Sequence, residues 1–379
     1  MFLSEEESMI QDAARQYVQE KITPFSAEWD RNKTFPNDAL KGLGELGFYG
    51  MLVPEQWGGS DIGYFSAALV LEEIAAGDAS CATIVSVTNS VGCMPIANFG
   101  SEQQKEKFLK PLASGRQLAA FCLSEPHAGS DASDLKTKAE LINGEYVLNG
   151  VKQFITSGKN ADISIVFAVT DKKAGKKGIS AFIVPTDTAG YIISNVEKKM
   201  GQHASDTAQI IFQDCKIPKE NLLGQEGQGY KIALSGLEGG RIGIAAQSVG
   251  IARAALQAAK QYAAERSAFG KSIYQHQAIG FKIADMATQL DASRLMVHRA
   301  ARLKDKGKPS LKEASMAKLF ASETAEKICS DALQIFGGYG YLNDFPIERY
   351  YRDVRVCQIY EGTSEVQKLV IARSIMNEN

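Results

Sequence analysis

The spacing of the apolar residues changes twice along this 379-residue chain, and that change limits the possible folds more than any single motif does. Residues 1–118 and 227–379 repeat at helical spacing, whereas residues 119–226 consist of short runs rich in β-branched side chains. No helical pattern of roughly 10–15 residues separates those runs, which argues against a βαβ nucleotide-binding fold. The order predicts an α+β multidomain protein: an N-terminal α-helical domain, a middle antiparallel β-barrel or sandwich domain, and a C-terminal four-helix bundle.

Start and stop signals locate the helices. Ser4 and Glu7 have the spacing of a capping box ahead of the first helix. Glycines in "FGGYG", residues 336–340, predict the end of a later helix by C-capping. The further helical patterns cover about residues 36–47, 64–77, 101–113, 228–265, 275–306, 311–336 and 363–376.

The middle segment carries hairpin signals. Two Asn-Gly dipeptides lie in "AELINGEYVLNGVKQFITSG", and this dipeptide favours two-residue hairpin turns because both residues tolerate positive φ. Further strands are predicted at short intervals in "DISIVFAVT", "GISAFIVPT" and "TAQIIFQDCKI". Short intervals between strands are typical of antiparallel pairing.

Composition excludes several classes of function. A net charge of −2 is near neutral, whereas proteins that bind nucleic acid normally carry a basic surface, so we expect no nucleic acid partner. Six cysteines occur without a C-x-x-C pair and four histidines without an H-x-x-x-H pair. We therefore expect no disulfide framework and no metal site, and reduced thiols in a cytosol fit this pattern better.

The N-terminal sequence and the hydropathy of the chain bear on its location. "MFLSEEESMIQ" is acidic from its fifth residue and lacks the basic and apolar regions of a secretory signal. No run approaches the ~20 apolar residues that a membrane-spanning helix needs, since even residues 79–99 are interrupted by Ser, Thr, Asn and Pro. We expect a cytoplasmic protein with no membrane partner.

Two motifs near the middle segment have both a functional and a purely structural interpretation. "FCLSEPHAGSDASD", residues 121–134, offers backbone N–H groups and hydroxyls that suit an anion or a polar ring edge, or it is a plain connecting loop. In "QFITSG", strand alternation puts Phe154 and Thr156 on one face. That pair suits a flat heterocycle, or it belongs to a half-buried strand.

Two motifs in the C-terminal segment also have both a functional and a purely structural interpretation. Arg266 in "ERSAFGKSIYQHQ" lies at a helix end and suits a phosphate, or it lies in a solvated loop. In "QIYEGTSEVQ", Glu361 comes just before a helix start at Thr363 or Ser364, because Ser364 and Gln367 have capping-box spacing. Glu361 is either a turn acid without a role or a catalytic base.

Together, "LSEPHAGSD", "FITSG", "ERSAFGK", "QIFGGYGY" and "IYEGTSE" resemble the acyl-CoA dehydrogenase family in sequence and in order. These are flavoproteins that desaturate fatty acyl-CoA thioesters, and the resemblance covers essentially the whole chain. It implies the family fold, with domains over residues 1–118, 119–226 and 227–379. It also implies FAD as cofactor, an acyl-CoA substrate and a role in fatty acid β-oxidation.

The resemblance assigns roles by matching position. Glu361 matches the base that removes the α-proton of the thioester, and Phe154 stands where tryptophan is more often found. Expected FAD contacts are Phe121, Leu123, Ser124, Ser130, Phe154, Ile155, Thr156, Arg266, Phe269, Gln277, Gln334, Ile335, Phe336, Gly337, Gly338, Thr363, Ser364 and Glu365. Expected substrate contacts are Ser130, Glu238, Arg241, Gln247 and Gly362.

Some family members place the base immediately before the arginine matched by Arg241. Gly240 occupies that position here, so the resemblance favours Glu361. Glu238 departs from the commoner aspartate of the D-x-x-R pattern that contacts substrate in relatives. Gln247, in "RIGIAAQ", resembles the glutamine that closes the pocket of short-chain members, which implies preference for straight or branched C4–C5 substrates.

The resemblance also implies partners. Residues 334–338 look like contacts to the FAD of a neighbouring subunit, so a homotetramer, a dimer of dimers, is expected. Electron-transferring flavoprotein is the expected electron acceptor. Two alternatives stay open: an acyl-CoA oxidase that passes electrons to oxygen, and a non-catalytic acyl-CoA-binding protein.

Overall fold

A computed structural model describes residues 3–377 of the chain. The first helix begins behind Ser4, whose side chain accepts from the Glu7 N–H while the Glu7 carboxylate accepts from the Ser4 N–H, so the predicted capping box is confirmed. The N-terminal helices are α1 (Glu5–Lys21), α2 (Ser26–Asn32), α3 (Asn37–Glu45), α4 (Gly63–Gly77), α5 (Ala79–Val87), α6 (Met94–Phe99), α7 (Glu102–Gln104) and α8 (Lys110–Ala113).

A helical run over Ala79–Phe99 had no predicted counterpart. It comprises α5, a π-helical segment at Thr88–Cys93 and α6. Its length and composition suffice to cross a membrane, but 94% of its most apolar window is buried inside the protein. The run is therefore apolar because it is a core helix, and a helix buried on all sides shows no amphipathic period.

The middle segment forms one mixed sheet. Its strands are β1 (Ala119–Cys122), β2 (Lys138–Ile142), β3 (Glu145–Thr156), β4 (Ile163–Val169), β5 (Ile179–Pro185), β6 (Tyr191–Val196), β7 (Thr207–Pro218) and β8 (Leu222–Leu223). They pair in the order β6-β7-β3-β2-β4-β5-β8, and β1 pairs with β4. The β1–β4 and β2–β4 pairs are parallel and the rest are antiparallel, so the sheet departs in part from the antiparallel prediction.

The two Asn-Gly dipeptides adopt different local structures. Asn143 (φ 53°) and Gly144 (φ 87°) form the tight turn between β2 and β3, as predicted. The prediction of a turn was wrong for Asn149-Gly150, which lies inside β3 at a register shift. A Cβ atom on Gly150 would lie 2.4 Å from the Thr137 hydroxyl, so glycine is needed there for close approach of the two backbones.

Long helices form the C-terminal segment, as predicted. They are α9 (Gly229–Glu265), α10 (Gln277–Asp305), α11 (Leu311–Phe336), α12 (Ile347–Val354) and α13 (Ser364–Met376). Two short strands, β9 (Ser267–Ala268) and β10 (Lys271–Ser272), connect α9 to α10. Gly337 (φ 61°) ends α11 in the predicted "FGGYG" segment, and α12 had no predicted counterpart.

The N- and C-terminal helices share one hydrophobic core, in which α9 packs against α4, α5 and α11. Glycines on α9 permit the close approach: a Cβ atom on Gly243 would lie 2.5 Å from Ser86 Oγ, and one on Gly250 would lie 2.4 Å from the Glu72 carbonyl oxygen. The predicted boundaries after residues 118 and 226 stay predictions.

Ion pairs to two buried carboxylates of α4 also hold the helices together. Glu73 of α4 accepts from Arg15 of α1 at 2.9 Å and from Arg253 of α9 at 2.6 Å, while Glu72 accepts from Arg294 of α10 at 2.9 Å. These contacts fix α4 against three other helices.

A second buried pair anchors the loop that follows β1. Lys152 of β3 is fully buried, and its ammonium donates to the Glu125 carboxylate at 2.8 Å and to the Leu123 carbonyl at 3.0 Å. Glu125 also accepts from the backbone N–H groups of Lys136 and Thr137. One carboxylate therefore ties both ends of the 123–137 loop to the sheet.

We predict that Lys152→Met destabilises the fold by about 3–5 kcal/mol, because removal of one partner leaves the other charge buried and unpaired. Denaturant unfolding of the holoprotein measures the effect. The double variant Lys152→Met/Glu125→Gln recovers part of the loss, and Lys138→Met, at an exposed position on β2, is the matched control. Equal loss in the single and double variants would contradict the ion-pair explanation.

Candidate active site

A cavity of about 530 Å³ lies between the sheet, α9 and α13. Loop and strand residues lining it are Phe121, Leu123, Ser124, Gly129, Ser130, Asp131, Ala132, Phe154, Ile155, Thr156, Tyr360, Glu361 and Gly362. Helix and π-segment residues lining it are Val87, Val91, Tyr230, Leu234, Leu237, Arg241, Ile244, Val366, Leu369, Val370 and Arg373. The predicted flavin loop, the "FIT" segment and Glu361 are thus brought together from distant parts of the sequence.

Glu361 occupies an unusual backbone turn. Its φ is 55° and that of Gly362 is 90°, so two consecutive residues adopt left-handed backbone conformations that residues other than glycine rarely take. The Gln367 amide donates to the carbonyls of both residues at 3.0 and 2.9 Å, and the Lys318 ammonium donates to the Gly362 carbonyl at 2.8 Å. These contacts compensate for the strain and fix the direction of the Glu361 side chain.

The Glu361 carboxylate faces a gap on α9. A Cβ atom on Gly240 would lie 2.6 Å from Glu361 Oε2, so only glycine leaves room for this carboxylate. Oε2 is buried and has no hydrogen-bond partner among residues 3–377. Burial raises the pKa of Glu361 to about 7, although the positive charges of Arg241 and Lys318 act in the opposite direction.

The helix after Glu361 starts where predicted but is capped differently. Thr363 is the N-cap, and its hydroxyl accepts from the Val366 N–H. The predicted Ser364–Gln367 capping box was wrong, because Gln367 instead bonds the carbonyls upstream and the buried Ser364 hydroxyl has no partner in the described chain. Thr363, Ser364 and the exposed Glu365 lie beside the cavity and do not line it.

The "FIT" segment is shaped by an irregularity in β3. Between Lys152 and Ile155 the register with β7 shifts, and Phe154 (φ 60°) turns outward with 67% of its surface exposed. Phe154, Ile155 and Thr156 all line the cavity. The bulge therefore presents an aromatic ring and a hydroxyl together.

Gln247 does not contact the cavity, which corrects its predicted place as the pocket floor. Its side chain is fully buried behind Tyr360, whose hydroxyl donates to Gln247 Oε1 at 2.6 Å. The Gln247 amide donates to the Ala79 carbonyl and to the Thr83 hydroxyl. With both ends of the amide engaged by protein, Gln247 supports Tyr360, and Tyr360 forms the wall.

Tyr360 also separates the main cavity from a second one. This second cavity, of about 230 Å³, shares Tyr360 and Thr156 with the first. Its other walls come from the 199–207 segment and from α12 and the turn after it, including Met200, Gln202 and Ile359.

Glu238 is likewise not brought to the cavity, contrary to its prediction as a substrate contact. Its carboxylate accepts from the Lys304 ammonium at 2.8 Å and from the Ser310 hydroxyl at 3.0 Å. These partners hold it in the contact between α9 and the end of α10. Arg241, three residues further along α9, does line the cavity and is 6% exposed.

Five of the remaining predicted FAD residues line a separate groove of about 410 Å³. Arg266, Ile335, Phe336, Gly337 and Gly338 line it together, and none of the groove residues lines the main cavity. The Arg266 guanidinium lies over the ring of Tyr339, which also lines the groove. Three further predicted FAD residues lie on the surface and do not line this groove: Phe269 (96% exposed), Gln277 and Gln334.

Sequence reasoning missed several residues of the site. Tyr360 lies within the "IYEGTSE" motif, but nothing in the motif assigns it a role. Lys318 gives no signal of its own, because a lysine in a long helix is usually solvated. Lys318 is fully buried on α11, and burial lowers its pKa to about 8. Its position between alanines, in "ASMAKLFAS", was the available signal, since a helix face of small residues packs closely.

Comparisons with known proteins match the chain over nearly its whole length. Family models described as the N-terminal, middle and C-terminal domains of acyl-CoA dehydrogenase match residues 4–116, 120–215 and 227–376. The mitochondrial short-chain specific acyl-CoA dehydrogenase of Rattus norvegicus is 47% identical over 374 residues, which cover 99% of this chain and 91% of the relative.

Two solved structures superpose on the whole chain. Butyryl-CoA dehydrogenase from Megasphaera elsdenii does so with a TM-score of 0.97 at 44% identity, covering 100% of both chains. A chain from a structure described as the electron transferring flavoprotein of Acidaminococcus fermentans does so with a TM-score of 0.98 at 46% identity, also over 100% of both chains. This chain therefore belongs to the acyl-CoA dehydrogenase family, which consists of FAD-dependent oxidoreductases acting on CH–CH groups.

Proposed function

We propose that the protein desaturates a short-chain acyl-CoA thioester, straight or branched, to the trans-2-enoyl-CoA, with Glu361 as the base for the α-proton. The observation that carries the proposal is the partly buried Glu361 carboxylate at the cavity wall, opposite Gly240 and with a pKa raised to about 7. A base with a pKa near the working pH combines a useful ionised fraction with strong proton affinity.

The residues around the cavity fit FAD. Phe154 and Ile155 offer apolar surface to a flat ring, and hydroxyls of Ser124, Ser130 and Thr156 make no hydrogen bond within residues 3–377. Unused donors and acceptors at a cavity wall are available to a polar ligand. When bound, FAD accepts a hydride from the substrate β-carbon, chemistry that no side chain can perform.

The chain itself supplies proton transfer and orientation. Glu361 takes the α-proton, and the turn that holds it directs its carboxylate toward the cavity. The Glu361 backbone N–H makes no hydrogen bond within the described residues, so it is free to donate to the thioester carbonyl oxygen. A preorganised donor there stabilises the enolate-like charge as it forms.

The end of the cavity supports a short acyl chain. On α9 the lining residues recur every three or four positions from Tyr230 and stop at Ile244, one turn before Gln247. Gln247, the next position on this face of α9, does not line the cavity and instead accepts from the hydroxyl of the wall residue Tyr360. A long acyl tail would have no apolar wall there.

We further propose that each FAD is shared between two subunits of a homotetramer, a dimer of dimers. The groove at Arg266 shares no residue with the main cavity, and it joins Arg266 to residues 335–338. Exposed Phe269 and Tyr341, at 96% and 84%, are suited to burial against another subunit. The Arg266 groove then serves the partner's cofactor.

The proposed electron acceptor is electron-transferring flavoprotein. Support comes from the superposition on a chain described with such a flavoprotein. The relatives reported above do not favour the oxidase or the non-catalytic binding protein. A cytoplasmic location stays our proposal, and six buried cysteines, all free, are consistent with a reducing compartment.

Glu361→Gln is expected to retain FAD and to lose turnover by about 10²–10⁴-fold, because the amide preserves volume but cannot accept the α-proton. Steady-state assays with butyryl-CoA and the flavin absorbance of the purified protein measure both properties. Glu323→Gln, at a carboxylate on α11 that pairs with Lys368 on the surface, is the control. Near-normal rates in Glu361→Gln would place the base elsewhere.

The proposed short cavity predicts a preference for C4–C5 substrates over C12 and longer ones. Each methylene that finds no apolar wall loses about 0.8 kcal/mol of burial. The values of kcat/KM for butyryl-, isobutyryl-, octanoyl- and palmitoyl-CoA measure this preference. An optimum at octanoyl-CoA or a longer substrate contradicts closure by Tyr360 and Gln247.

Arg266→Ala is expected to weaken FAD retention more than it changes the chemical step, since a charged hydrogen bond to a phosphate contributes about 1.5–3 kcal/mol. Flavin content after dialysis is the measurement, and light scattering reports on assembly. Lys271→Ala, five residues on in the same loop, is the matched control. If flavin content stays unchanged in Arg266→Ala, Arg266 does not bind the phosphate.

A further inference from the structure

Lys318 is a buried lysine next to the proposed base. It lies on α11 with none of its surface exposed, and its ammonium donates to the Gly362 carbonyl at 2.8 Å. It does not line the cavity. A lysine is rarely fully buried without a partner, and here the partner belongs to the turn that carries Glu361.

Gln367 holds the same turn from the other side. It is fully buried on α13, and its amide donates to the carbonyls of Glu361 and Gly362. Its own Oε1 atom has no hydrogen-bond partner among residues 3–377. The Gln367 side chain is therefore oriented so that its N–H groups bond the turn, while its own carbonyl oxygen is left without a hydrogen bond, which costs free energy in a buried position.

The charges around Glu361 come from several elements. Arg241 of α9 and Lys318 of α11 act on the carboxylate directly, and both favour its ionised form. Asp131 of the flavin loop and Arg373 of α13 line the same cavity. Lys318 differs from the others because it combines a positive charge near the carboxylate with a hydrogen bond to the turn.

We propose that Lys318 is a positioning residue for the reaction: its ammonium fixes the left-handed Glu361–Gly362 turn, jointly with Gln367, and its charge keeps the Glu361 carboxylate ionised near neutral pH. This inference rests on the proposed function, in which Glu361 is the base. The two contributions are separable, because Gln367 holds the turn without carrying a charge.

The expected pH dependence of the rate follows from the directions of the pKa shifts of Glu361 and Lys318. Glu361 acts as a base only when ionised, so the rate falls as pH drops through its pKa of about 7. Lys318 has a pKa of about 8 and is therefore mostly cationic at pH 7 and below, where the Glu361 carboxylate becomes protonated. Removing its charge disfavours the carboxylate form, so the acid limb of the rate profile moves to higher pH, by about one unit, which is the lower end of the shift that a nearby opposite charge produces.

The test compares Lys318→Met and Gln367→Met holoenzymes with Glu361→Gln over a profile of kcat/KM against pH, which reports the pKa values of the enzyme before substrate binds. Lys318→Met is expected to lower the plateau rate and to move the acid limb of the profile to higher pH by about one pH unit. That move lowers the rate at pH 7 by a further factor of roughly five. Gln367→Met is expected to lower the plateau and leave the limb in place. Lys327→Met, at an exposed position on α11, is the control for both measurements.

A Lys318→Met profile that matches the wild type in plateau and limb overturns the inference, provided that Glu361→Gln is inactive. Activity in Glu361→Gln would instead overturn the proposed function, so the two failures are distinct. Should Lys318→Met not yield folded holoenzyme, Gln367→Met decides: an unchanged plateau overturns the fixed-turn role, and a lowered plateau with an unmoved limb supports it.

Discussion

The close packing of α9 within the shared helical core is the constraint on which the rest of the structure depends. Gly243 and Gly250 allow α9 to approach α5 and α4 at distances that a Cβ atom would prevent. The same helix then presents Gly240, Arg241 and Ile244 to the cavity. Because α9 lies in one core with both terminal helical segments, a shift that relieved any of these contacts would also displace the site.

The properties of Glu361 result from opposing effects, of which burial is the larger. Burial raises its pKa, whereas Arg241 and Lys318 lower it, and the balance lies near 7. Without the two cations the carboxyl would be a poor base at neutral pH because it would be protonated. In an exposed turn its pKa would lie near 4.3, and it would accept an α-proton weakly. The left-handed turn is what places the carboxylate where both effects act.

Features with a clear period or a local cap could be predicted from the sequence, whereas those set by distant packing could not. The helices that correspond to α9, α10 and α11, and the Ser4–Glu7 cap, follow from such local signals. The run Ala79–Phe99 gave no period because it is buried on all sides. At the site, Glu361 and the "FIT" segment were found through resemblance. Gln247, Glu238 and Lys318 required knowledge of which side chains face them.

The movement of charge during the proposed reaction distinguishes residues that keep Glu361 ionised from residues that accelerate proton transfer. Proton transfer moves one negative charge from the carboxylate to the substrate oxygen, so the total charge in the cavity does not change. Arg241 and Lys318 favour the ionised Glu361 carboxylate, which carries that charge in the ground state. An interaction with the ground state does not by itself accelerate the chemical step. Their charges therefore act on the ionised fraction of Glu361, separately from the hydrogen bond by which Lys318 holds the turn. Acceleration of the step itself depends on donors placed at the thioester oxygen, such as the Glu361 N–H, where the charge is new.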